Sequence, residues 1–164
     1  MHFPRIYCII CLQTESEDES LKLSRRIFQM LKLMIGVKGT GKTKTLIEMV
    51  NSAVNTSKGA VVCIEKGDKL RYDIKYQARL IDTQEYMVAD AQSLYGFVAG
   101  ILASNHDVTE LFIDSALKIC NNDMPSFEKL LDELAALVAK TGTHLFITSS
   151  MPVEEASDTV KKYL

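Results

Sequence analysis

The chain has 164 residues, 47% apolar and 24% charged, which is the make-up of one globular domain and excludes disorder over the whole length. A formal net charge of −2 removes the electrostatic argument for a general nucleic-acid binder. The longest apolar run, Leu94 to Ala103, is far short of the roughly 20 residues that cross a bilayer.

Residues 1–29 do not read like the rest. A brief apolar run at 6–12 is followed by an acidic, Ser-rich patch at 13–20 and the basic pair Arg25-Arg26. The stretch lacks the longer apolar core and small-residue cleavage site of a secretory signal, so it reads as a dispensable leader before a start at Met30. Its Cys8 and Cys11 have no second pair of ligands at metal-binding spacing; with Cys63 and Cys120 they read as reduced, structural thiols of a cytoplasmic protein.

From residue 31 strand and helix signals alternate. Leu31 to Ile35 is a strand ending at Gly36, and a glycine-rich loop leads into a helix with Leu46, Met49, Val50, Ala53 and Val54 on one face. Ser57-Lys58-Gly59 stops that helix. Ala60 to Glu65 is a wholly apolar strand ending in an acid, of the kind buried on both faces of a parallel sheet. Lys66 to Tyr76 is charged and turn-like, and Arg79 to Asp82 is a short strand. Asp90 caps a helix whose stripe is Leu94, Phe97, Val98, Ile101 and Leu102. Glu110 to Asp114 is an apolar strand ending in an acid. Asp123 or Ser126 caps a third long helix, and Gly142 ends it. Thr143 to Ile147 is the last strand, Thr148-Ser149-Ser150 the turn after it, and a short helix from Pro152 closes the pattern. Such alternation implies an α/β domain over residues 30–164, its mostly parallel sheet between helical layers with right-handed crossovers.

Gly36-Val37-Lys38-Gly39-Thr40-Gly41-Lys42-Thr43 matches G-x-x-x-x-G-K-[ST] in full. The glycines let several backbone N–H groups point inward as an anion nest. Lys42 reaches the β- and γ-phosphates, the Thr43 hydroxyl suits Mg²⁺, and the helix N-terminus adds its positive field. An apolar strand before the motif and an amphipathic helix after it supply the context this mechanism requires.

On these residues the chain resembles the P-loop NTPase superfamily, with Gly36 to Thr43 as its Walker A segment and Leu111-Phe112-Ile113-Asp114 as its Walker B strand. The resemblance implies a three-layer P-loop fold in a minimal or C-terminally truncated form. It further implies ATP and Mg²⁺ as ligands, with Asp114 beside Thr43 at the metal and Thr45 added to the nucleotide-binding set. The strand Ala60 to Glu65 intervenes in sequence between the two segments, an arrangement similar to the RecA-like and AAA-like branch, where an extra strand lies between the Walker strands. Thr148 and Ser149 then occupy the place of that branch's polar γ-phosphate sensor. Ser115 stands where many of its ATPases carry the glutamate that activates water, and Glu65, at the tip of its own strand, is the substitute candidate for that catalytic role beside Lys42. The chain is also similar to short stand-alone bacterial ATP-binding proteins loosely labelled PilT-like, without the extra motifs of pilus-retraction ATPases. Nothing matches the N-K-x-D loop of guanine readers, so ATP is the expected nucleotide.

Three classes of work follow from the resemblance. The first is a Mg²⁺-dependent ATPase that couples nucleotide state to a protein partner, with a homo-oligomer as the expected assembly. The others are a nucleotide-dependent module with little turnover and a small-molecule kinase using Lys66 to Arg79 as a lid. Tyr72 and Tyr76 lie among the lysines and arginines of that stretch, but Asp68 and Asp73 dilute its charge, so nucleic acid is not an expected partner.

Overall fold

The structure, a computed structural model, describes residues 30–164. The leader, with Cys8 and Cys11, lies outside the described residues. Five strands form one all-parallel sheet: β1 (Leu31–Gly36), β2 (Ala60–Glu65), β3 (Arg79–Asp82), β4 (Val108–Ile113) and β5 (His144–Ser150), in the spatial order β1-β5-β4-β2-β3. The helices among the described residues are α1 (Lys42–Thr56), α2 (Ala91–Ser104), α3 (Ala116–Ile119), α4 (Met124–Thr141) and α5 (Asp158–Lys161), with a 3-10 turn at Val153–Glu155. Among the described residues no helix is long and apolar enough to cross a membrane.

Strand alternation sorts the interior into two cores. Val62, Ile64, Leu111, Ile113, Leu145 and Ile147 face one way, against α2, α4 and α5. Val61, Cys63, Phe112 and Phe146 face the other, against Leu46 and Val50 of α1. The second core is completed by Leu70, Ile74 and Ala78, so the charged, turn-like stretch between β2 and β3 is a packed cover. Asn51 of α1 fastens it: its amide donates to Asp73 O at 2.8 Å, and its Oδ1 accepts from Lys75 N at 2.9 Å. Burying Leu70 and Ile74 here contributes on the order of 1.5 kcal/mol or more apiece, with a smaller share from the Ala78 methyl, enough to hold the cover down.

Three elements depart from their expected form. Thr148, Ser149 and Ser150 belong to β5 and not to a turn, since β5 stays paired with β1 as far as Gly36 opposite Ser150. The helix expected from Pro152 is split into the 3-10 turn and α5, where Ser157 accepts from Val160 N as a cap. The short α3 had no counterpart in the sequence pattern. At the start of α4 the expected cap is partly realised. Asp123 holds the N-cap position, but its carboxylate accepts from the Ser126 hydroxyl and not from a backbone N–H.

β1 is an edge strand. Its pairing partner is β5, and on the open side Leu33 N donates to Tyr163 O at 2.7 Å. The Tyr163 hydroxyl donates in turn to Asp132 of α4 at 2.6 Å, tying the end of the chain to both the sheet and the helical layer.

Candidate functional site

The loop after β1 turns through left-handed backbone at Gly39 and Gly41, with φ of 92° and 84°, a conformation that side chains with a Cβ rarely take. Gly41 is the N-cap of α1 and offers no side chain to its first turn, which also lacks an acidic residue. The positive end of α1 is therefore left open toward the crevice above the sheet. Val37 and Lys38 are exposed.

Lys42 folds back over this loop. Its ammonium is almost buried and donates to Gly36 O at 2.6 Å, Val37 O at 2.9 Å and the Thr40 hydroxyl at 3.2 Å. An ammonium has three donors, and the loop uses all of them. A phosphate oxygen meeting Lys42 takes the place of one of these acceptors. The Thr40 hydroxyl also donates to Val37 O at 2.9 Å, closing the loop on itself.

Asp114 lies directly beyond β4, and three side chains converge on it. The Thr43 hydroxyl donates to its Oδ1 at 3.1 Å, the Thr148 hydroxyl to the same oxygen at 2.8 Å, and the Ser115 hydroxyl to Oδ2 at 2.9 Å. Thr148 also accepts Ser115 N at 2.9 Å, which holds Ser115 in left-handed backbone at φ 55°. Hydrogen bonds to a carboxylate contribute roughly 1.5–3 kcal/mol each, so the network fixes the start of α1, the end of β4 and β5 to one another. Ser149 differs from its neighbour: its hydroxyl is buried and has no hydrogen-bond partner among the described residues. Thr45 sits one turn into α1, where its N–H donates to Gly41 O at 2.9 Å.

Glu65 is almost fully buried at the tip of β2, and its carboxylate turns toward the cover segment. Both oxygens accept Leu70 N, at 3.1 and 3.2 Å. Burial pushes its pKa up to about 7; nearby Asp114 and Asp82 add to the rise, and the Leu70 N–H opposes it. Glu65 lines a smaller pocket of about 380 Å³ with Asp82, Arg71 and Tyr76. A crevice of about 650 Å³ above α1 is lined instead by Lys38, Gly39, Gly41, Lys42, Thr43, Lys44, Asp114 and Ser150, and by Lys69, Leu70, Ser115, Lys118 and Asn122.

The sequence-level candidates Lys42, Thr43, Asp114 and Thr148 thus meet around one crevice, while Glu65 stands beside it behind Leu70. Lys118 and Asn122 were not singled out. The Asn121-Asn122 pair carried a signal, since both take left-handed backbone, at φ 54° and 61°, and asparagine tolerates that conformation. No protein-family model matches the chain, and no curated protein matches it.

Proposed function

We propose that this chain binds ATP with Mg²⁺ in the crevice, as a protein resembling the RecA-like branch of the P-loop NTPases, and hydrolyses it to drive a partner. The convergence of Thr43, Thr148 and Ser115 on Asp114 carries this reading. Three segments far apart in sequence meet at one carboxylate, beside a loop whose backbone and lysine suit phosphate. The strand order adds support, because an extra strand lies between β1 and β4 as in the branch the chain resembles, although that strand is β5 and not β2 (Ala60–Glu65), which intervenes between them only in sequence.

The Thr43 hydroxyl and the Asp114 carboxylate are oxygen donors within hydrogen-bonding distance, which fits a hard cation held jointly with substrate phosphates. Bound there, Mg²⁺ would offset the charge on the β- and γ-phosphates. Lys42 would exchange a loop carbonyl for a phosphate oxygen, and the open end of α1 would face the same anion. Thr148 would orient Asp114 through its 2.8 Å hydrogen bond. Glu65, near neutral protonation, would orient and deprotonate the attacking water once its carboxylate lets go of Leu70 N.

The hold of Leu70 N on Glu65 favours a second reading, a nucleotide-dependent module with little turnover. The test is incubation of the full chain with ATP labelled at the γ-phosphate. Release of free phosphate without an acceptor is the expected result. Bound but intact ATP selects the second reading, transfer only to an added small molecule indicates a kinase, and failure to retain ATP overturns the nucleotide site.

A further inference from the structure

The crevice carries more positive charge than one nucleotide uses. Lys38, Lys42 and Lys44 come from the loop after β1 and the start of α1. Lys69 joins them from the turn after β2 and Lys118 from α3, beyond β4, against Asp114 as the one carboxylate in the lining. Five lysines against one carboxylate give a formal excess of four positive charges. A magnesium triphosphate brings a formal charge of about −2. About two positive charges then stay unbalanced, on the lysines whose strands are furthest along the sheet from β1.

That part of the lining is built into the fold. Lys69 directly precedes Leu70, whose side chain is buried in the second core and whose N–H is held by both oxygens of Glu65. Lys118 is steadied through its backbone, since Lys66 Nζ donates to Lys118 O at 2.9 Å. Asn122 enters the lining from left-handed backbone, its N–H held by Leu117 O at 2.9 Å. Among the described residues neither Lys69 nor Lys118 has an acidic partner.

We infer that Lys69 and Lys118, with Asn122, bind a second anion beside the nucleotide, and that it carries a phosphomonoester. Such a group has a charge of about −1.5 to −2 at neutral pH and several acceptor oxygens, which suits two ammonium groups and one amide. A single carboxylate would offset only half of the excess. The crevice volume of about 650 Å³ lies at the middle of the range for small-molecule sites, roughly 300–1,000 Å³. This inference rests on the nucleotide reading above and names the chemical class of its co-ligand.

The test saturates the full chain with Mg²⁺ and a non-hydrolysable β,γ-imido analogue of ATP, then titrates in glycerol phosphate by calorimetry at fixed ionic strength. One-site binding is expected. The double variant Lys69→Ala/Lys118→Ala should weaken it about tenfold or more, the scale of a lost charge-assisted contact, while analogue affinity stays within about twofold. If the analogue binds but glycerol phosphate does not, or the double variant binds it unchanged, the second site is overturned and the nucleotide site stands. If the double variant loses the analogue itself, the two lysines serve the γ-phosphate and the inference fails. Succinate binding as tightly as glycerol phosphate overturns the phosphomonoester class. Failure of the analogue to bind the unaltered chain overturns both readings together.

Discussion

Lys42 and Glu65 are two buried charged residues with opposite relations to their surroundings. Lys42 is fully satisfied by the loop, so removing it loses both the loop's own clasp and the anchor for an anion. Lys42→Ala should weaken ATP binding by about 2 kcal/mol or more, and Lys42→Arg should not restore it, because a planar fork does not fit where a compact ammonium sits. Equilibrium binding of a fluorescent ATP analogue measures both, and unchanged affinity in Lys42→Ala would sink the phosphate-loop reading. Glu65 is held as an acid that resists ionising. Folded, it keeps its proton to about pH 7, against an ordinary value of 4.5, so the folded chain binds more protons than the unfolded one between those values. Its contribution therefore makes stability fall as pH rises through that window and level off above it, by about 3 kcal/mol at most. Urea unfolding across pH 4.5–7.5 should show Glu65→Gln losing this slope; parallel curves for the two chains would contradict it. The same variant should keep ATP affinity while losing turnover about 10²-fold if Glu65 serves as the base. The spacing of the glycine loop made Lys42 and Thr43 legible in the sequence. The turn of Glu65 toward Leu70 was not legible, because it depends on how the following segment folds back.

At the scale of elements, apolar runs and caps predicted every strand of the sheet and the three long helices, since each depends on local periodicity. The exceptions have separate physical causes. Thr148, Ser149 and Ser150 have the composition of a turn, yet β1 continues its ladder along all three, and Asp114, beyond the end of β4, accepts from the Thr148 hydroxyl. α3 spans only Ala116–Ile119, too short for any periodicity to register. In the stretch between β2 and β3, surface charges mask Leu70, Ile74 and Ala78, whose spacing of four is visible only once their burial is known. The turn from α1 to β2 sets a sharper constraint. A Cβ on Gly59 would lie 2.2 Å from the backbone oxygen of Asp107, the atom that accepts Ala60 N at 2.7 Å. Neither backbone can yield without breaking the start of the β2–β4 pairing. Gly59→Ala should therefore lower stability by about 2 kcal/mol or more, read from the urea midpoint, whereas a change within about 0.5 kcal/mol would mean that the turn relaxes freely.

Across the whole molecule, the α/β class and its parallel sheet were legible from the alternation of strands and helices, but the strand order was not. In sequence it is β2 and β3 that separate the glycine loop from Asp114; in space β5 lies between their strands. Pairing of that kind is decided by which faces bury against which helices, and a linear pattern does not carry it. A chain ending at Thr141 would retain the entire glycine loop, α1 and Asp114 but lack β5 and Thr148. It should fail to retain ATP in a filter assay, and retention equal to the full chain would show that β5 is dispensable. The position of β1 at the sheet edge, with its pairing partner near the other end of the chain, also bears on synthesis. As the polypeptide leaves the ribosome, β1 emerges before every other strand of the sheet, but the strand it pairs with emerges after all of them. Leu31 waits for Leu145, and Leu33 for Tyr163, so the glycine loop takes its final shape only after β5 and the segment around Tyr163 have been made. The crevice around Asp114 would thus stay unformed on a nascent chain until β5 has emerged and closed the sheet over it.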